Sequence, residues 1–388
     1  MSTKFNDATF WNICLDFEKS HGSFLFDKNT NKNILDFFGM YSSLPLGYNH
    51  PVFDESFYKQ LKYLASVKTT NCEFDSDVRQ NFCQHFHDLA GVGLFDKYHF
   101  TCTGSLAVES ACKLAMYHTK KQRMIAIDNS FHGTAGYGNF ATSHFGIVAE
   151  RLSGFPDFDW AKVSTIEELK AELSRGDIAG VLVEPIQSTF GDNHLPKDFL
   201  QDVSKVSKEF DVPVIYDEVQ TGFGTTGKVW CFEHFDIKPD IVAFGKKTQV
   251  SGVMTSEKYS SGLDHRLCVT FDGDLVDMLR GTYIMKAYRR GNLLENAKDM
   301  GEILIGELRS IDGVENARGK GLMIAFDVES NEFRGKLLQR LKDNGAICNM
   351  AGERTLRVRP NLAVDRNEIN TFLKILNISM QQTKGNMK

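Results

Sequence analysis

Between residues 95 and 250, apolar segments of strand length alternate with helix-like segments, and this alternation constrains the fold most strongly. The segments RMIAIDNS, DIAGVLVEP, VPVIYDE and DIVAFG are almost continuously apolar, as strands buried on both faces are. One intervening segment, KDFLQDVSKVSKEF, has Phe199, Val203, Val206 and Phe210 at helical spacing. The pattern predicts an α/β fold, with a mostly parallel sheet that helices cover on both faces.

The pattern changes after about residue 274. The segment GDLVDMLRGTYIMKAYRRGNLLENAKDMGEILIGELRSI is predicted to be one long helical region. The strand GLMIAFDV, a helix around 334–344 and the strand TLRVRP follow, and together they predict a small α+β domain. We expect an N-terminal segment over 1–45 that joins the small domain and the substrate pocket, a large domain over 46–272, and a small domain over 273–388.

Composition argues against several classes of protein. The formal net charge is −5, so the chain offers no basic surface for nucleic acid. We expect neither a signal peptide nor a membrane span, because no segment approaches the roughly 20 apolar residues that cross a bilayer. The eight cysteines form no C-x-x-C pair, which argues against a zinc ribbon or a thioredoxin-like site and predicts reduced thiols in the cytoplasm.

Unusual polar residues stand where predicted strands end, and ligands of open α/β sheets bind at those ends. In TCTGSLAVES, Gly104 and Ser105 lie between a strand and a helix, where backbone N–H groups suit a phosphate. The alternative is that Ser105 is a simple N-cap. In VIYDEVQTGFG, Asp217 and Glu218 end a buried strand, where a carboxylate needs a cationic partner or binds a metal.

Other strand ends carry further candidates. In VLVEPIQ the predicted strand ends in Glu184. NSFHGTAGYG contains Phe131 and His132, and VTFDGD contains Thr270. FGKKTQVSG places Lys246 and Lys247 directly after an apolar strand, where a lysine is either a solvated loop charge or a reactive amine. A phosphate cradle, an aromatic ring, a strand-end aspartate and a strand-end lysine are together the set of groups that pyridoxal 5'-phosphate requires.

These motifs resemble those of the class III (ω-type) aminotransferases of the pyridoxal-phosphate fold type I family, and are most similar to the L-lysine 6-aminotransferases (lysine ε-aminotransferases). The resemblance rests on LDFFGMYSSLPLGYNHP, GSLAVESACK, FHGTAGY, FPDFDW, VEPIQ, IYDEVQTGFGTTG, PDIVAFGKKTQVSGVM, DGDLVDMLR, RGKGLMIAF and LRVRPNL. It spans residues 35 to 362 and implies a large domain with a seven-stranded, mostly parallel sheet. It also implies a homodimer with the site at the subunit interface.

The resemblance implies a role for each candidate. Lys246 would form the Schiff base with the coenzyme, and Lys247 would either help to keep the Lys246 amine neutral or face away. Asp217 would pair with the pyridinium nitrogen. The remaining coenzyme contacts would come from Gly104 and Ser105 on the phosphate, Gln220 on the phenolic oxygen, Val219 and Phe131 on the two ring faces, His132 beside the ring, and Glu184 as a support. Thr270 would hold the phosphate of the partner subunit.

The substrate pocket follows the resemblance less closely. Tyr41 would line it, and Arg357 would bind a substrate carboxylate in a bidentate fork. The lysine 6-aminotransferases have an arginine, a switch glutamate and an asparagine where this chain has Thr134, Thr189 and Cys268. These changes are expected to weaken 2-oxoglutarate as acceptor unless another group compensates. Arg359 would be such a group if LRVRP is extended.

The resemblance implies transamination of a terminal amine: an L-lysine-like donor passes its ω or ε amino group to an oxo acid and becomes a semialdehyde. One alternative is an aminotransferase with a different amine and aldehyde pair. A second is a fold-type I decarboxylase or aminomutase, because the same groups serve these reactions. A third is a non-enzymatic subunit with the same fold, which the intact Lys246, Asp217 and Gln220 argue against.

Overall fold

The computed structural model describes residues 11–70, 73–143, 160–260 and 266–385. Most of the FPDFDW motif, at 155–159, lies outside the described residues. The helices are α1 Glu55–Leu64, α2 Asp77–Ala90, α3 Gly104–Thr119, α4 Gly136–Ala141, α5 Ile166–Leu173, α6 Lys197–Glu209, α7 Glu257–Ser260, α8 Leu275–Gly291, α9 Leu293–Leu308, α10 Asn331–Asp343 and α11 Arg366–Gly385. Two short 3-10 turns lie at Cys231–His234 and Lys246–Thr248.

The strands are β1 Leu15–His21, β2 Phe24–Asp27, β3 Lys32–Asp36, β4 Lys97–Thr101, β5 Arg123–Ile127, β6 Ala161–Val163, β7 Ile178–Val183, β8 Ile186–Gln187, β9 Asn193–His194, β10 Val214–Asp217, β11 Ile241–Phe244, β12 Ser251–Thr255, β13 Glu315–Lys320, β14 Met323–Asp327, β15 Ala346–Ile347, β16 Asn349–Ala351 and β17 Thr355–Val358.

The central sheet has seven strands in the order β4-β12-β11-β10-β7-β5-β6. The neighbours β11, β10, β7, β5 and β6 pair in parallel, whereas β12 runs antiparallel to both β11 and β4. Every residue of β7, β10 and β11 is buried, as expected of strands with helices on both faces. The predicted α/β fold with a mostly parallel sheet is confirmed.

Helix α3 crosses the central sheet with a face of small residues. Ala107, Ala111 and Ala115 are fully buried there, which lets the helix backbone lie close to the strands. The N-cap is Thr103, whose hydroxyl accepts from the N–H of Leu106 at 3.3 Å. The alternative that Ser105 is a simple N-cap is therefore wrong, because Ser105 lies within the first turn of the helix.

Two helical predictions need correction. In α6 the buried apolar side chains are Leu200, Val203 and Val206, whereas Phe210 ends the helix and is 37% exposed. The long helix predicted over 273–311 is two helices, α8 and α9, separated by Asn292 in a left-handed conformation (φ 49°). Asparagine tolerates this conformation better than most residues, so the chain can change direction there.

Besides the central sheet and the two-stranded pair β8-β9, the described residues form two four-stranded sheets. The first has the order β1-β2-β3-β15, in which β3 pairs in parallel with β15 and so connects the N-terminal segment to the C-terminal part of the chain. The second has the order β13-β14-β17-β16 and places Arg357 on β17. Among the described residues, no helix is both long enough and apolar enough to cross a membrane.

Candidate active site

A cavity of about 1090 Å³ lies at the carboxyl ends of the central strands. The start of α3 and the β16–β17 region also contribute to its walls. Twelve of the residues predicted from the sequence line this cavity: Tyr41, Gly104, Ser105, Phe131, His132, Glu184, Thr189, Asp217, Val219, Gln220, Lys246 and Arg357. The sequence positions of these residues span more than 300 places, so only the fold brings them together.

Three predicted residues lie elsewhere in the single chain. Thr134 is exposed and Cys268 is partly buried, and neither lines the cavity. Thr270 is also exposed and does not reach the cavity of its own chain. The position that corresponds to the missing arginine, Thr134, therefore does not line the cavity in this chain, whereas the position of the switch glutamate, Thr189, does.

Asp217 is the last residue of β10 and is 5% exposed. Its Oδ2 atom accepts from Nδ1 of His132 at 2.8 Å, and its Oδ1 atom accepts from the N–H of Val219 at 3.0 Å. The carboxylate is thus held in one orientation at the cavity wall. The other ring nitrogen of His132, Nε2, is buried and has no hydrogen-bond partner among the described residues.

The neighbouring acid, Glu218, turns away from the cavity. It accepts from the backbone N–H groups of Cys231 at 3.0 Å and Phe232 at 2.8 Å, and the Thr221 hydroxyl donates to it as well. Burial raises the pKa of Glu218 to about 7, against these hydrogen bonds. Glu218 therefore holds the 3-10 turn at 231–234, and it serves neither as an ion-pair partner in the cavity nor as a metal ligand.

The start of α3 is packed tightly against its surroundings. A Cβ at Gly104 would lie 2.7 Å from Cγ1 of Val219, and a Cβ at Gly133 (φ 114°) would lie 2.5 Å from Oγ of Ser105. Glycine is therefore required at both positions, since any side chain would push the helix terminus away from β10. The N-terminus of a 16-residue helix, with its partial positive charge, consequently opens into the cavity.

Glu184 connects two parts of the cavity wall. Its Oε2 atom accepts from the N–H of Phe131 at 3.1 Å, while Oε1 accepts from both the N–H and the hydroxyl of Ser188, at 3.1 and 2.9 Å. Burial raises the pKa of this carboxyl to about 7, although His132 opposes the change. Glu184 thus positions the Phe131 backbone and the start of the 188–192 loop.

Lys246 lies two residues after the end of β11 and has a left-handed backbone conformation (φ 54°). Its side chain lines the cavity. Burial lowers the pKa of its amine to about 8, Asp217 opposes this change and Arg357 adds to it. A substantial fraction of the amine is therefore neutral near physiological pH and can act as a nucleophile or a base.

Lys247 does not line the cavity. It is 3% exposed, and its Nζ atom donates to the backbone carbonyl of Ser42 at 2.6 Å and also contacts the Ser42 hydroxyl. Of the two roles considered for Lys247, the geometry favours the one in which its side chain faces away from Lys246.

Arg357 lies on β17 opposite Asn349 of β16, and both line the cavity. The side chain is buried, and burial and the nearby Arg359 lower its pKa to about 10, so it remains a cation at neutral pH. Its Nε atom has no hydrogen-bond partner among the described residues. A buried guanidinium next to an open cavity is suited to bind a carboxylate.

Arg359 cannot substitute for the missing arginine. Its Nη2 atom donates to both carboxylate oxygens of Asp192, at 2.5 and 2.7 Å, and Nη1 donates to the carbonyl of Ile324 at 2.8 Å. Both charged side chains are buried, with exposed fractions of 2% and 0%. Arg359 therefore anchors the 188–192 loop and does not line the cavity.

Sequence reasoning missed several residues that line the cavity: Phe38, Phe190, Arg334, Asn349 and Met350. Arg334 lies on the amphipathic helix α10, where an arginine normally indicates a solvent-facing position. In the structure its Nη1 atom donates to the carbonyls of Ala351 and Gly352, at 3.0 and 2.8 Å. No local signal in the sequence distinguishes it from a surface arginine.

The residues present fit pyridoxal 5'-phosphate. The open helix N-terminus suits its phosphate, the strand-end Asp217 suits a protonated ring nitrogen, and the Lys246 amine suits its aldehyde. The buried Oε1 atom of Gln220 has no partner among the described residues, which leaves an acceptor available to a ligand. These features together occupy one wall of the cavity and leave the side with Tyr41 and Arg357 for substrate.

Comparison with known proteins supports this interpretation. The sequence profile of the family described as Aminotransferase class-III matches residues 7–379, nearly the whole chain. The chain belongs to the class-III aminotransferases. Enzymes of this family are pyridoxal 5'-phosphate-dependent transaminases, so the resemblance predicted from the motifs is confirmed, as are the coenzyme and the class of reaction.

Relatives of this class-III aminotransferase include lysine aminotransferases. A curated L-lysine-epsilon aminotransferase from Mycobacterium tuberculosis is 33% identical over 93% of this chain and 90% of its own length. One from Streptomyces clavuligerus is 31% identical over 94% and 90%. A solved lysine aminotransferase from M. tuberculosis, in the internal aldimine form, matches with a TM-score of 0.92 at 30% identity, covering 99% of this chain and 97% of that chain. The fold is that of the fold type I enzymes.

Proposed function

We propose that this aminotransferase removes the terminal amino group of an L-lysine-like donor, yields a semialdehyde, and passes the amino group to an oxo acid. The observation that carries the proposal is that one cavity contains both a reactive amine, Lys246, and a buried guanidinium, Arg357. Relatives named for the ε-amino group of L-lysine, at 31% and 33% identity, support the choice of donor.

The coenzyme would be held by residues of the large sheet. Gly104 and Ser105 would bind its phosphate at the N-terminus of α3, Asp217 would pair with the ring nitrogen, and Gln220 would contact the phenolic oxygen. Val219 and Phe131 would contact the two faces of the ring, with His132 orienting Asp217. When bound, the coenzyme supplies an electron sink and accepts the amino group.

The protein's own contribution is binding and proton transfer. Lys246 Nζ would be the group that attaches the coenzyme, and it would be available as a free amine while a donor is bound. As a free amine with a pKa near 8, it can then take a proton from the carbon that bears the donor amino group and release it again. Asp217, held by His132 and Val219, keeps the electron sink in its protonated form. Both functions depend on groups fixed before substrate arrives.

Substrate recognition would rest on the opposite wall. Arg357 would bind a carboxylate of the donor or acceptor, and Tyr41 and Thr189 would line the space between that carboxylate and Lys246. A charge-assisted hydrogen bond to a carboxylate contributes about 1.5–3 kcal/mol. Because Thr189 cannot pair with the guanidinium as a carboxylate would, Arg357 is available to substrate in both half-reactions.

A specific observation favours a second candidate function with an unusual acceptor. Thr134 does not line the cavity, and Arg359 is committed to Asp192. Arg334 does line the cavity, but its guanidinium already donates to the carbonyls of Ala351 and Gly352 and to Oδ1 of Asn331. A dicarboxylate such as 2-oxoglutarate would therefore find Arg357 for one carboxylate and no arginine at position 134 for the other. We infer a monocarboxylic oxo acid or an aldehyde as the better acceptor. Steady-state kinetics with a micromolar KM for 2-oxoglutarate, lower than for every other acceptor, would contradict this.

The functional unit is inferred to be a homodimer in which Thr270 reaches the phosphate site of the partner subunit. Thr270 lies in an exposed turn between Val269 and Phe271, which are 49% and 46% exposed and would be covered by a second copy. Asp272 fixes this turn, since its Oδ2 atom accepts from the N–H of Val269 at 2.9 Å. Sedimentation analysis and the coenzyme affinity of a Thr270→Ala variant test both parts. The reduced thiols expected of the cysteines favour a cytoplasmic location.

The experiment that tests the proposal is an absorbance scan of the coenzyme-loaded protein before and after L-lysine is added without any acceptor. The expected result is loss of the band of the Lys246-linked coenzyme and growth of the pyridoxamine band. If the first band is present and L-lysine leaves it unchanged, L-lysine is not the donor. The same scan over diamines and other ω-amino acids then identifies the amine that is.

A further inference from the structure

Lys247 is a buried lysine that the proposed reaction does not use. It follows Lys246 directly, but its side chain leaves the cavity and reaches the chain 205 residues earlier, where it donates to the carbonyl of Ser42 at 2.6 Å and contacts the Ser42 hydroxyl. Burial, together with the nearby Arg359 and Lys246, lowers the pKa of this amine well below its usual value. A buried amine still needs acceptors for its N–H groups. The carbonyl and hydroxyl of Ser42 are such acceptors, and the contacts tie the segment after β11 to the N-terminal segment.

The segment that Lys247 contacts is strained. Gly39, Met40, Tyr41 and Ser42 have consecutive positive φ angles of 58°, 52°, 57° and 69°. We call it the Gly39–Ser42 turn. Glycine adopts this left-handed conformation freely, whereas each of the other three residues adopts it at a cost, so surrounding contacts must hold the turn in place.

The two ends of the turn are held by different groups. At its start, Asp36 accepts from the N–H groups of Phe38 at 3.0 Å and Gly39 at 2.8 Å. At its end, the chain after Lys246 provides the contacts: Lys247 holds Ser42, and Nε2 of Gln249 donates to the carbonyl of Ser43 at 2.9 Å. The end of the turn therefore depends on the 3-10 turn that also carries Lys246.

The Gly39–Ser42 turn presents a wall of the cavity. Tyr41 lines the cavity and is 53% exposed, and its ring packs edge-on against Phe38 with centroids 4.6 Å apart. The backbone of Tyr41 is itself in the strained conformation, so its position depends on the contacts that hold the turn. The position of this wall relative to the Lys246 amine is consequently set through the adjacent Lys247.

We infer that Lys247 is a positioning residue for substrate binding, which keeps the Gly39–Ser42 turn, and with it Tyr41, at a fixed distance from the amine of Lys246. This inference rests on the proposed roles of Lys246 and Tyr41. Lys246 lines the cavity and the consecutive Lys247 contacts Ser42, so one short segment places both the reactive amine and the wall that substrate contacts.

The competing explanation is electrostatic. In that case the charge of Lys247 would act on the Lys246 amine, and removing it would alter the pH dependence of coenzyme incorporation without moving the turn. The two explanations separate in a Lys247→Met variant, which keeps the length of the side chain and removes its donor. Lys238, which is exposed, provides a matched control as Lys238→Met.

The first measurement is hydrogen exchange of the coenzyme-loaded protein, which needs no substrate. We expect Lys247→Met to raise the exchange rate of the backbone amides at 38–44 about tenfold, or ~1.4 kcal/mol of local stability, with Lys238→Met unchanged. Unchanged exchange at 38–44 would overturn the inference. If Lys247→Met does not fold, Ser42→Ala removes the hydroxyl acceptor and leaves the carbonyl, so exchange at 38–44 should rise by a smaller factor of about threefold, and no rise at all would overturn the inference.

The second measurement separates positioning from mere stabilisation. We expect Lys247→Met to raise the KM for L-lysine about tenfold with kcat within about twofold, the pattern of lost substrate binding. In a Tyr41→Ala background the same substitution should change KM little, because the wall it positions is already gone. A full effect of Lys247→Met on KM in that background, or a shifted pH profile of coenzyme incorporation, would overturn the inference. If wild-type protein leaves L-lysine unconverted, the proposed donor fails, while the exchange measurement still decides whether Lys247 holds the turn.

Discussion

Nδ1 of His132 lies 2.8 Å from Oδ2 of Asp217, and both side chains are buried at the carboxyl edge of the central sheet. The two residues are 85 positions apart, so the contact exists only because β5 and β10 end at the same edge. Val219 donates its N–H to the other oxygen of Asp217 at 3.0 Å. The aspartate is thereby oriented by two donors before any ligand binds, which is the condition for effective electrostatic stabilisation.

Replacing Asp217 by Asn should remove the charge and keep the shape. We expect kcat for amine conversion to fall on the order of 10²–10³, the usual cost of losing one preorganised electrostatic group. Stopped-flow absorbance of the coenzyme measures the effect directly. Asp177→Asn, at an exposed surface position, is the control. A decrease below about threefold would show that Asp217 does not support the electron sink.

Replacing Lys246 by Ala should abolish the covalent link to the coenzyme and the proton transfer. We expect kcat to fall by at least about 10³-fold, within the range of lost general acid–base catalysis. The absorbance spectrum of the purified variant should also lack the band of the Lys246-linked coenzyme. A variant that retains this band would show that another lysine forms the link, and Lys247 would be the first to test.

The pH dependence of coenzyme incorporation follows from the lowered pKa of Lys246. The amine has a pKa of about 8 in the fold, and only its neutral form attacks the coenzyme aldehyde. The rate of incorporation into coenzyme-free protein should therefore rise with pH, increase most steeply near pH 8 and level off above it. A rate still rising steeply near pH 10 would indicate an amine whose pKa is close to that of an ordinary lysine.

Replacing Arg357 by Gln should weaken substrates that carry a carboxylate. The loss of a charge-assisted pair of about 1.5–3 kcal/mol predicts a 10- to 150-fold increase in the KM of L-lysine, with a smaller change in kcat. A diamine of the same length, which has no carboxylate, provides the internal control and should be unaffected or improved. Equal losses for both amines would mean that Arg357 is structural.

Replacing Thr189 by Glu introduces a carboxylate into the cavity that Arg357 also lines. The new carboxylate should pair with the guanidinium and compete with the substrate carboxylate, so we expect the KM of oxo-acid acceptors to rise about tenfold. Thr189→Gln is the matched control, because it adds the same bulk without charge. If both variants behave alike, steric effects account for the change and Arg357 is not the carboxylate site.

Much of the fold follows from local sequence pattern. Continuous apolar runs such as β7, β10 and β11 predict strands buried on both faces, which is typical of a parallel sheet that helices cover. Helix boundaries were less well predicted. The break between α8 and α9 at Asn292 is one residue long, and an asparagine in an otherwise helical pattern gives no clear signal of a left-handed conformation.

The candidate site shows the same division. The sequence predicts Asp217, Lys246 and Glu184 because burying an ionisable group at the end of a strand costs free energy. Such groups usually indicate a functional site. Arg334 was missed because its partners, the carbonyls of Ala351 and Gly352, are identifiable only in three dimensions. The resemblance places Thr134 and Cys268 in the substrate pocket, but neither lines the cavity of this single chain.

The sequence by itself determined the sheet, the strand-end groups and the coenzyme that they suit. The spacing of apolar residues and the positions where strands end are properties of neighbouring residues. The tertiary structure alone decided what each charge does. Arg359 is neutralised by Asp192, 167 positions away, and Lys247 is directed to Ser42, 205 positions away. A charge acquires its role from whichever partner the fold brings within a few ångströms, and no local pattern encodes contacts between residues so distant in the chain.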